Sequence, residues 1–296
     1  MQPRSILITG CSSGIGYTCA VGMRQRGWRV IATARKPQDL EMLRNHKLDA
    51  VHLDYADPAS VAACADEVLN FTDGRLTALF NNGAYGQPGL VEDLPVSALR
   101  AQFEANVFGW HDLTTRLLPA MREQGSGRII QCSSVLGIVA APYRGAYNAS
   151  KFALEGLTDT LRLELAGTGI HVSSIQPGPI RSRFTEHALA ALLANIDHRN
   201  SRNRALYEKR IAELRALAGT SPAPLESPAE SARLTGNGWK PVYRLGPDAV
   251  LSCLIHATES DRPRPYYRVT YTTKLAALAR RLLPSRLHVA LMQRQT

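Results

Sequence analysis

The chain has 296 residues, 45% hydrophobic and 20% charged, which suits one large globular α/β domain. The net charge is +10, but the arginines are spread along the chain without interleaved aromatic residues, which argues against nucleic-acid binding as the main function. No apolar run reaches the roughly 18 residues that span a bilayer, and no signal-peptide apolar region precedes the first strand-like run. Five scattered cysteines without metal-ligand spacing predict reduced thiols, no metal site and a cytoplasmic location.

The first predicted strand, Ser5–Thr9, leads through a glycine-rich turn into a predicted helix from Tyr17 to Arg26. Such a turn lets backbone N–H groups approach a pyrophosphate at the positive N-terminus of a helix. The glycine spacing differs from the commonest dinucleotide fingerprint, and any tight turn needs glycine for positive φ. The position after the first strand nevertheless favours cofactor binding, with candidate residues Gly10, Ser12, Ser13, Gly14, Ile15 and Gly16.

The second predicted strand, Trp28–Thr33, ends where dinucleotide folds recognise the adenosine ribose. At that position an acid selects the free 2′-hydroxyl, whereas an arginine accommodates a 2′-phosphate. Here Ala34 is followed by Arg35 and Lys36, and no carboxylate occurs before Asp39. The sequence therefore predicts NADP(H), the alternative being a solvated basic turn.

Strands continue to alternate with helices along the chain. Further strands are predicted at residues 50–54, 76–80, 127–134 and 171–176, and helices at 58–70, at 97–122 and from Tyr147 to about residue 166. This alternation predicts a Rossmann-like, doubly wound parallel sheet, in which ligands bind at the carboxyl ends of the strands. One active site is expected there because these residues all follow strand ends: Gly10, Arg35, Asp54, Asn82, Ser134 and Pro177.

Tyr147 and Lys151 are four positions apart and share one face of a predicted helix. An ammonium beside a phenol favours the phenolate, so we expect the pKa of Tyr147 to fall below its ordinary value of about 10. Such a tyrosine can exchange a proton with a reacting oxygen near neutral pH. The competing Tyr143 has no lysine four positions later. Adjacent strand residues point to opposite faces, so only one of Ser133 and Ser134 should face a substrate.

Residues 181–245 are interpreted as a substrate-covering segment and not as a second domain, so we expect a single domain over residues 1–296. Helices are predicted at 188–193, 204–217 and 247–259, and a last strand at 264–270; a helical tail follows at 272–296. An apolar stripe in this tail, Leu275, Leu278, Leu282 and Leu283, is flanked by basic residues. Such a helix can lie on an anionic membrane, but packing on its own protein or on a partner subunit is the more frequent outcome.

Together these motifs resemble the short-chain dehydrogenase/reductase family over about residues 5–184. The glycine turn looks like the family's cofactor loop, Asp54 like its adenine-binding acid, and Pro177-Gly178 like the turn beside the nicotinamide. One departure is Asn81-Asn-Gly-Ala84, where the family usually has Asn-Asn-Ala-Gly. The segment 150–157 is similar to the 17β-hydroxysteroid and retinol dehydrogenase branch, which implies an apolar carbonyl or alcohol substrate. The resemblance also implies a catalytic tetrad and further cofactor contacts: Asn106, Ser134, Tyr147 and Lys151, with Asn82, Gly83 and Ile180.

The resemblance implies an NADP(H)-dependent carbonyl reductase with Tyr147 as the general acid and Ser134 as a hydrogen-bond donor to the same oxygen. Lys151 is implied to hold the nicotinamide ribose, and Asn106 to hold a water that links Lys151 to solvent. A homodimer or homotetramer through the helices around Asn106 and Tyr147 is expected. The alternatives are an NADP(H)-sensing regulator without catalysis and a membrane-peripheral or scaffold role for the basic tail.

Overall fold

The structure, a computed structural model, describes residues 4–219 and 244–293. Seven strands form one sheet in the order β3-β2-β1-β4-β5-β6-β7, and all neighbouring strands are parallel. The predicted Rossmann-like, doubly wound parallel sheet is therefore confirmed. Its strand order reverses between β1 and β4, which is the place where such sheets bind ligands. The strands are β1 (Ser5–Ile8), β2 (Arg29–Ala34), β3 (Asp49–His52), β4 (Ala78–Asn81), β5 (Gly127–Cys132), β6 (Ile170–Gln176) and β7 (Tyr266–Arg268).

The strands are short apolar runs because helices cover the sheet. Parallel strands covered on both faces need apolar side chains at successive positions, and β1 is buried along its whole length. Among the described residues the helices are α1 (Gly14–Gln25), α2 (Pro37–Asn45), α3 (Pro58–Phe71), α4 (Val96–Phe103), α5 (Gly109–Gln124), α6 (Gly145–Glu164), α7 (Phe184–Asn195), α8 (Arg204–Gly219), α9 (Asp248–Glu259), α10 (Tyr271–Leu282) and α11 (Ser285–Gln293).

Two parts of the chain depart from the predicted helices. Helix α2 was not predicted, because only Leu40 and Leu43 of its nine residues are buried and the sequence shows little apolar periodicity. The single helix predicted at 97–122 is interrupted by a π-helical turn, Glu104–Phe108, between α4 and α5. A π turn inserts one extra residue into a helix and is frequent at functional sites, and this one contains Asn106.

The covering segment leaves and rejoins the sheet at neighbouring points. The Arg181 N–H donates to the Leu245 carbonyl at 2.9 Å, and the Leu245 N–H donates to the Pro179 carbonyl at 3.2 Å. Residues 220–243, including the loops predicted at 221–224 and 227–238, lie outside the described residues. Within the described part, α7 and α8 form their own small core of Leu192, Ile196, Tyr207, Ile211 and Leu214.

The apolar stripe of the C-terminal tail is exposed. Leu275, Leu278 and Leu282 are 52%, 53% and 67% exposed, whereas Leu283 is half-buried. A partner subunit and a membrane surface stay expectations for this stripe. None of the helices within residues 4–219 and 244–293 is long and apolar enough to cross a membrane.

Candidate active site

The hydroxyl of Thr9 joins three loops at the carboxyl edge of the sheet. Its Oγ1 accepts hydrogen bonds from the N–H groups of Asn82 and Gly83 at 2.8 and 3.0 Å. The Tyr55 hydroxyl lies 2.9 Å from the same oxygen. The Asn82 amide also donates to the Thr9 carbonyl at 2.9 Å. The loops after β1, β3 and β4 are therefore fixed to one another around a side chain that sequence reasoning did not single out.

The glycine-rich turn leaves room for nothing larger than glycine at two positions. Gly10 has φ of +67°, and a Cβ there would lie 2.4 Å from the Gly83 Cα. A Cβ at Gly16 would lie 2.2 Å from the Gly10 carbonyl oxygen. Helix α1 begins at Gly14, and its preceding residue Ser13 makes no side-chain capping bond to the first turn. The first N–H groups of α1 thus form the kind of helix terminus that binds phosphate.

Arg35 is exposed directly after β2. Burial lowers the pKa of His187 on α7; the charge of Arg183 lowers it further, Glu186 raises it, and Arg35 and Lys36 lower it as well. The charges at the end of β2 therefore act on α7, where Arg183 is itself paired with Glu186 at 3.0 Å. Arg183 and His187 were missed because nothing in the sequence places α7 beside the end of β2.

The remaining predicted cofactor residues lie on loops at the same edge. Asp54 follows β3, and its carboxylate accepts a hydrogen bond from the Ala56 N–H at 3.1 Å. The Pro177 carbonyl accepts a hydrogen bond from the Val135 N–H at 2.7 Å, which ties the loop after β6 to the loop after β5. Gly178 is packed so closely that a Cβ there would lie 2.2 Å from the Thr270 hydroxyl. Ile180 packs against the main core.

Tyr147 and Ser134 meet at the end of β5. Tyr147 lies in the first turn of α6, is buried, and packs edge-on against Phe184 of α7 with ring centroids 5.4 Å apart. The Ser134 side chain is near enough to the Tyr147 phenol to lower its pKa, and the Ser134 Oγ accepts a hydrogen bond from the Leu136 N–H at 3.1 Å. The Ser133 hydroxyl is instead buried without a hydrogen-bond partner, against Gly137. The two serines therefore face different surroundings, and Ser134 is the one beside Tyr147.

Lys151 is buried one turn further along α6. Its Nζ donates to the Cys132 carbonyl at 2.9 Å and lies 4.2 Å from the centroid of the Trp110 ring and 5.7 Å from that of Tyr147. Burial lowers the pKa of Lys151 to about 8, partly offset by the nearby Cys132 and Glu155. The ammonium is thus held under Tyr147 by a backbone carbonyl and an aromatic face.

The pKa of Tyr147 runs against the sequence-based expectation. Burial raises it well above the ordinary value of 10, and Cys132 raises it further; the Ser134 hydrogen bond and the Arg144 charge lower it only in part. Tyr147 and Lys151 lie one turn apart on α6, as their spacing predicted. Burial of the Tyr147 phenol nevertheless raises its pKa by more than the nearby positive charge lowers it. The expected lowering of this pKa is therefore wrong for the structure described here.

Asn106 is buried in the π turn and is held by backbone groups. Its Nδ2 donates to the Tyr85 carbonyl at 2.9 Å, and its Oδ1 accepts from the Tyr85 N–H at 3.3 Å. Its Nδ2 also lies 3.5 Å from the Ser150 hydroxyl, next to Lys151. The side chain joins the loop after β4 to α6, and its role in holding a water stays a prediction.

Comparison with known proteins assigns this arrangement to a class. Residues 4–192 match the family described as short chain dehydrogenase. The chain therefore belongs to the short-chain dehydrogenase family of oxidoreductases, as its motifs predicted. It is 40% identical to the uncharacterized oxidoreductase YbbO of Escherichia coli K12 over 99% of this chain and 95% of that protein. It is 35% identical to human retinol dehydrogenase 8 over 64% of this chain and 62% of that protein.

Solved structures show the same fold at lower identity. A Burkholderia phymatum short chain dehydrogenase/reductase in complex with NAD is 23% identical with a TM-score of 0.73, over 98% of this chain and 95% of that one. A Burkholderia cenocepacia short chain dehydrogenase in complex with NADP is 22% identical with a TM-score of 0.70, over 98% of both chains.

Exchange of the two adjacent serines tests which of them serves the site. We expect Ser134→Ala to lower kcat by roughly 10²–10³-fold, the scale for loss of one donor to a developing oxyanion. Ser133→Ala is the matched control and should be much milder, because its hydroxyl has no partner. Steady-state kinetics of both variants on one substrate decide the question, and the reverse ranking would assign the role to Ser133.

Proposed function

We propose that this protein is an NADP(H)-dependent oxidoreductase that interconverts an aldehyde or ketone with its alcohol. The observation that carries the proposal is the buried group of Ser134, Tyr147 and Lys151 beside the glycine-rich turn, at the reversal of strand order. Hydroxyl, phenol and ammonium are the groups that hydride transfer to a carbonyl needs from a protein, because the negative charge on oxygen must be stabilised and protonated.

The residues at the carboxyl edge fit a nicotinamide dinucleotide. The positions of Gly10 and Gly16 leave space only for backbone, and the uncapped start of α1 offers N–H groups to a pyrophosphate. Structural neighbours in complex with NAD and with NADP support a cofactor of this class. In this proposal the cofactor is held by the turn from Gly10 to Gly16, by Arg35, and by loop residues Asp54, Asn82, Gly83, Tyr147, Lys151, Pro177, Gly178 and Ile180.

A nicotinamide held by these residues would supply or accept the hydride. Tyr147 would give its phenolic proton to the carbonyl oxygen in reduction and accept it back in oxidation. Ser134 donates a hydrogen bond to the same oxygen. Phe184 packs on the Tyr147 ring and excludes water from it. The segment 181–245, in this proposal, covers the substrate within a single domain over residues 1–296.

Lys151 supports Tyr147 electrostatically in this proposal. Because burial alone raises the pKa of Tyr147, the phenolate must be favoured by positive charge that accumulates during turnover. Lys151 supplies part of this charge and holds ribose hydroxyls, and the oxidised nicotinamide ring adds to it. Asn106, at the junction between the loop after β4 and α6, is proposed to position a water that connects Lys151 to solvent.

A non-catalytic NADP(H)-sensing regulator is the second candidate. It would need the glycine turn and Arg35, but it would have no use for a buried serine, tyrosine and lysine in contact. The intact group at the end of β5 therefore favours catalysis.

Five free cysteines support a reducing, cytoplasmic location in this proposal.

We propose that the protein forms a homodimer or homotetramer through α5 and α6. Phe108, which directly precedes α5, and Leu163 on α6 are exposed large apolar residues. Light scattering of Leu163→Glu should show dissociation. Leu287→Glu on α11 is the matched control, since that residue is also exposed. Dissociation by the control alone would assign the interface to the C-terminal tail and contradict this proposal.

A turnover screen with the Tyr147→Phe variant tests the enzymatic proposal. NADPH consumption is measured over aldehydes, ketones, retinals and ketosteroids, and any substrate found is then tested with the variant. We expect the loss of the phenolic proton to lower kcat by at least about 10²–10⁴-fold. Cofactor affinity, measured by fluorescence titration, should persist because the ring is kept. Near-full kcat in the variant would mean that Tyr147 is not the acid.

The preference for NADP(H) rests on the charges at the end of β2. Arg35 follows β2 directly, and Arg183 and Lys36 lie near it around His187. A guanidinium binds a phosphate through two parallel hydrogen bonds, whereas a carboxylate at this point would repel it. The Ser12 hydroxyl in the glycine turn is proposed as a further donor. Arg35 is exposed and screened, so we expect its contribution to be roughly tenfold in affinity, near the lower end for a charged hydrogen bond.

Cofactor titrations test this preference. Wild-type protein should bind NADPH more tightly than NADH, and added salt should weaken the difference. The double change Ala34→Asp with Arg35→Ala should reverse the preference, and Arg116→Ala on α5 serves as a control because that arginine pairs with Asp112. Ala34 is only 4% exposed, so the melting temperature of the double variant must be checked. Equal affinities of the wild type for both cofactors would refute the assignment of Arg35.

A further inference from the structure

Arg144 is a partly buried arginine, and one N–H-bearing nitrogen of its side chain lacks a hydrogen-bond acceptor among the described residues. It directly precedes α6 and stands three positions before Tyr147. Its Nη1 is buried and has no hydrogen-bond partner among the described residues. Across residues 4–219 and 244–293, its guanidinium makes no ion pair with a carboxylate. A buried charged group without a partner is costly, so the site favours a molecule that supplies an acceptor.

Positive charge near Arg144 makes an anionic partner for its guanidinium still more favourable. Burial and, to a smaller extent, the charge of Arg210 lower the pKa of Arg144 to about 10, with Tyr147 acting in the opposite direction. Arg144 therefore stays charged at neutral pH, beside a second guanidinium. The carboxylate of Glu213 is engaged by Arg210 at 2.9 Å, and the Arg210 Nε is itself buried without a partner. The charged groups that face Arg144 thus leave an excess of positive charge.

Arg144 is close to the reacting groups. Its positive charge is among the influences that lower the pKa of the Tyr147 phenol, and the phenol in turn acts on Arg144. It also lies next to the covering segment, since Arg210 belongs to α8. The charge of Arg144 therefore interacts both with the proposed proton donor and with Arg210 on a helix of the segment that is proposed to cover the substrate.

The backbone before Arg144 is held in an uncommon conformation. Tyr143 has φ of +59°, a left-handed value that is rare for residues other than glycine. Its carbonyl accepts a hydrogen bond from the Gly89 N–H at 3.0 Å, and its ring packs edge-on against Tyr207 of α8 at 6.0 Å. Contacts on both sides thus maintain this conformation. Such strain is characteristic of ligand-binding positions, and here it fixes the backbone position of Arg144.

We propose that Arg144 binds a carboxylate of the substrate, so that the enzyme reduces oxo acids or oxidises the corresponding hydroxy acids. This inference rests on the proposed function and specifies its substrate class. A carboxylate suits the site because it can accept two parallel hydrogen bonds from one guanidinium and offsets the excess positive charge beside Arg210. A neutral ester also offers oxygen acceptors, but it does not offset the positive charge of Arg144 and Arg210.

The test compares acids with matched esters. The substrates are ω-oxo acids with increasing numbers of carbons between aldehyde and carboxylate, together with their methyl esters, assayed by NADPH oxidation. We expect wild-type kcat/KM to favour the acid over its ester by at least about tenfold at the best chain length. Arg144→Met should bring this ratio close to one, mainly through KM, and Arg144→Lys should restore part of it. Arg204→Met is the control, because Arg204 lies on α8 and is paired with Glu208.

A binding measurement separates this inference from the proposed function. Calorimetry of the same acids and esters, titrated into the protein with NADP⁺ bound, reports the carboxylate contact without turnover. Acids that bind no better than esters in the wild type would overturn the inference, even if esters are reduced. An equal loss of affinity for acids and esters in Arg144→Met would also overturn the inference, because Arg144 would then not recognise the carboxylate. If acids bind through Arg144 but no carbonyl compound is reduced, the carboxylate site stands and the proposed activity fails.

Discussion

The site depends on the hydrogen bonds of one buried hydroxyl. Thr9 directly follows the first strand, and its side-chain oxygen accepts hydrogen bonds from two backbone N–H groups of the loop after β4 and from the Tyr55 hydroxyl. Parallel strands bring several loops to one edge, but the strands alone do not fix the distance between those loops. A single acceptor shared by several donors does fix it, because each donor would be buried and unsatisfied if the loops separated. The glycine turn can then approach Gly83 closely enough to exclude side chains.

Burial acts in opposite ways on the two ionisable groups of α6. It raises the pKa of Tyr147 and lowers that of Lys151 to about 8, so both side chains are driven towards their neutral forms. The Cys132 carbonyl and the Trp110 face favour the charged lysine, and Ser134 and Arg144 favour the phenolate. The opposing effects leave the protonation of the pair sensitive to any charge placed next to it. A site that must move one proton per turnover benefits from this sensitivity.

Most of the strands could be predicted from the sequence because they are rich in apolar residues and are followed by a proline or a polar residue. Helix spacing, a local property, placed Tyr147 and Lys151 on one face, whereas strand alternation showed only that Ser133 and Ser134 point in different directions. The family resemblance assigned Ser134 to the site. The sequence could not show α2, whose burial involves two leucines, nor the π turn, because helical periodicity continues through residues 97–122. The pKa of Tyr147 and the unmet bond of Arg144 depend on tertiary burial, which residue spacing does not encode.

The backbone hydrogen bonds that join Arg181, Leu245 and Pro179 affect how the sequence of this protein can evolve. The covering segment begins and ends at adjacent points, and its small core around Tyr207 is separate from the main core. Lengthening or replacing such a closed loop costs little conformational entropy and leaves the strand register untouched. Mutations in the segment can therefore be selected for what they bind, while mutations in the sheet are selected for folding. Substrate range and stability can evolve as nearly independent traits in a protein built this way.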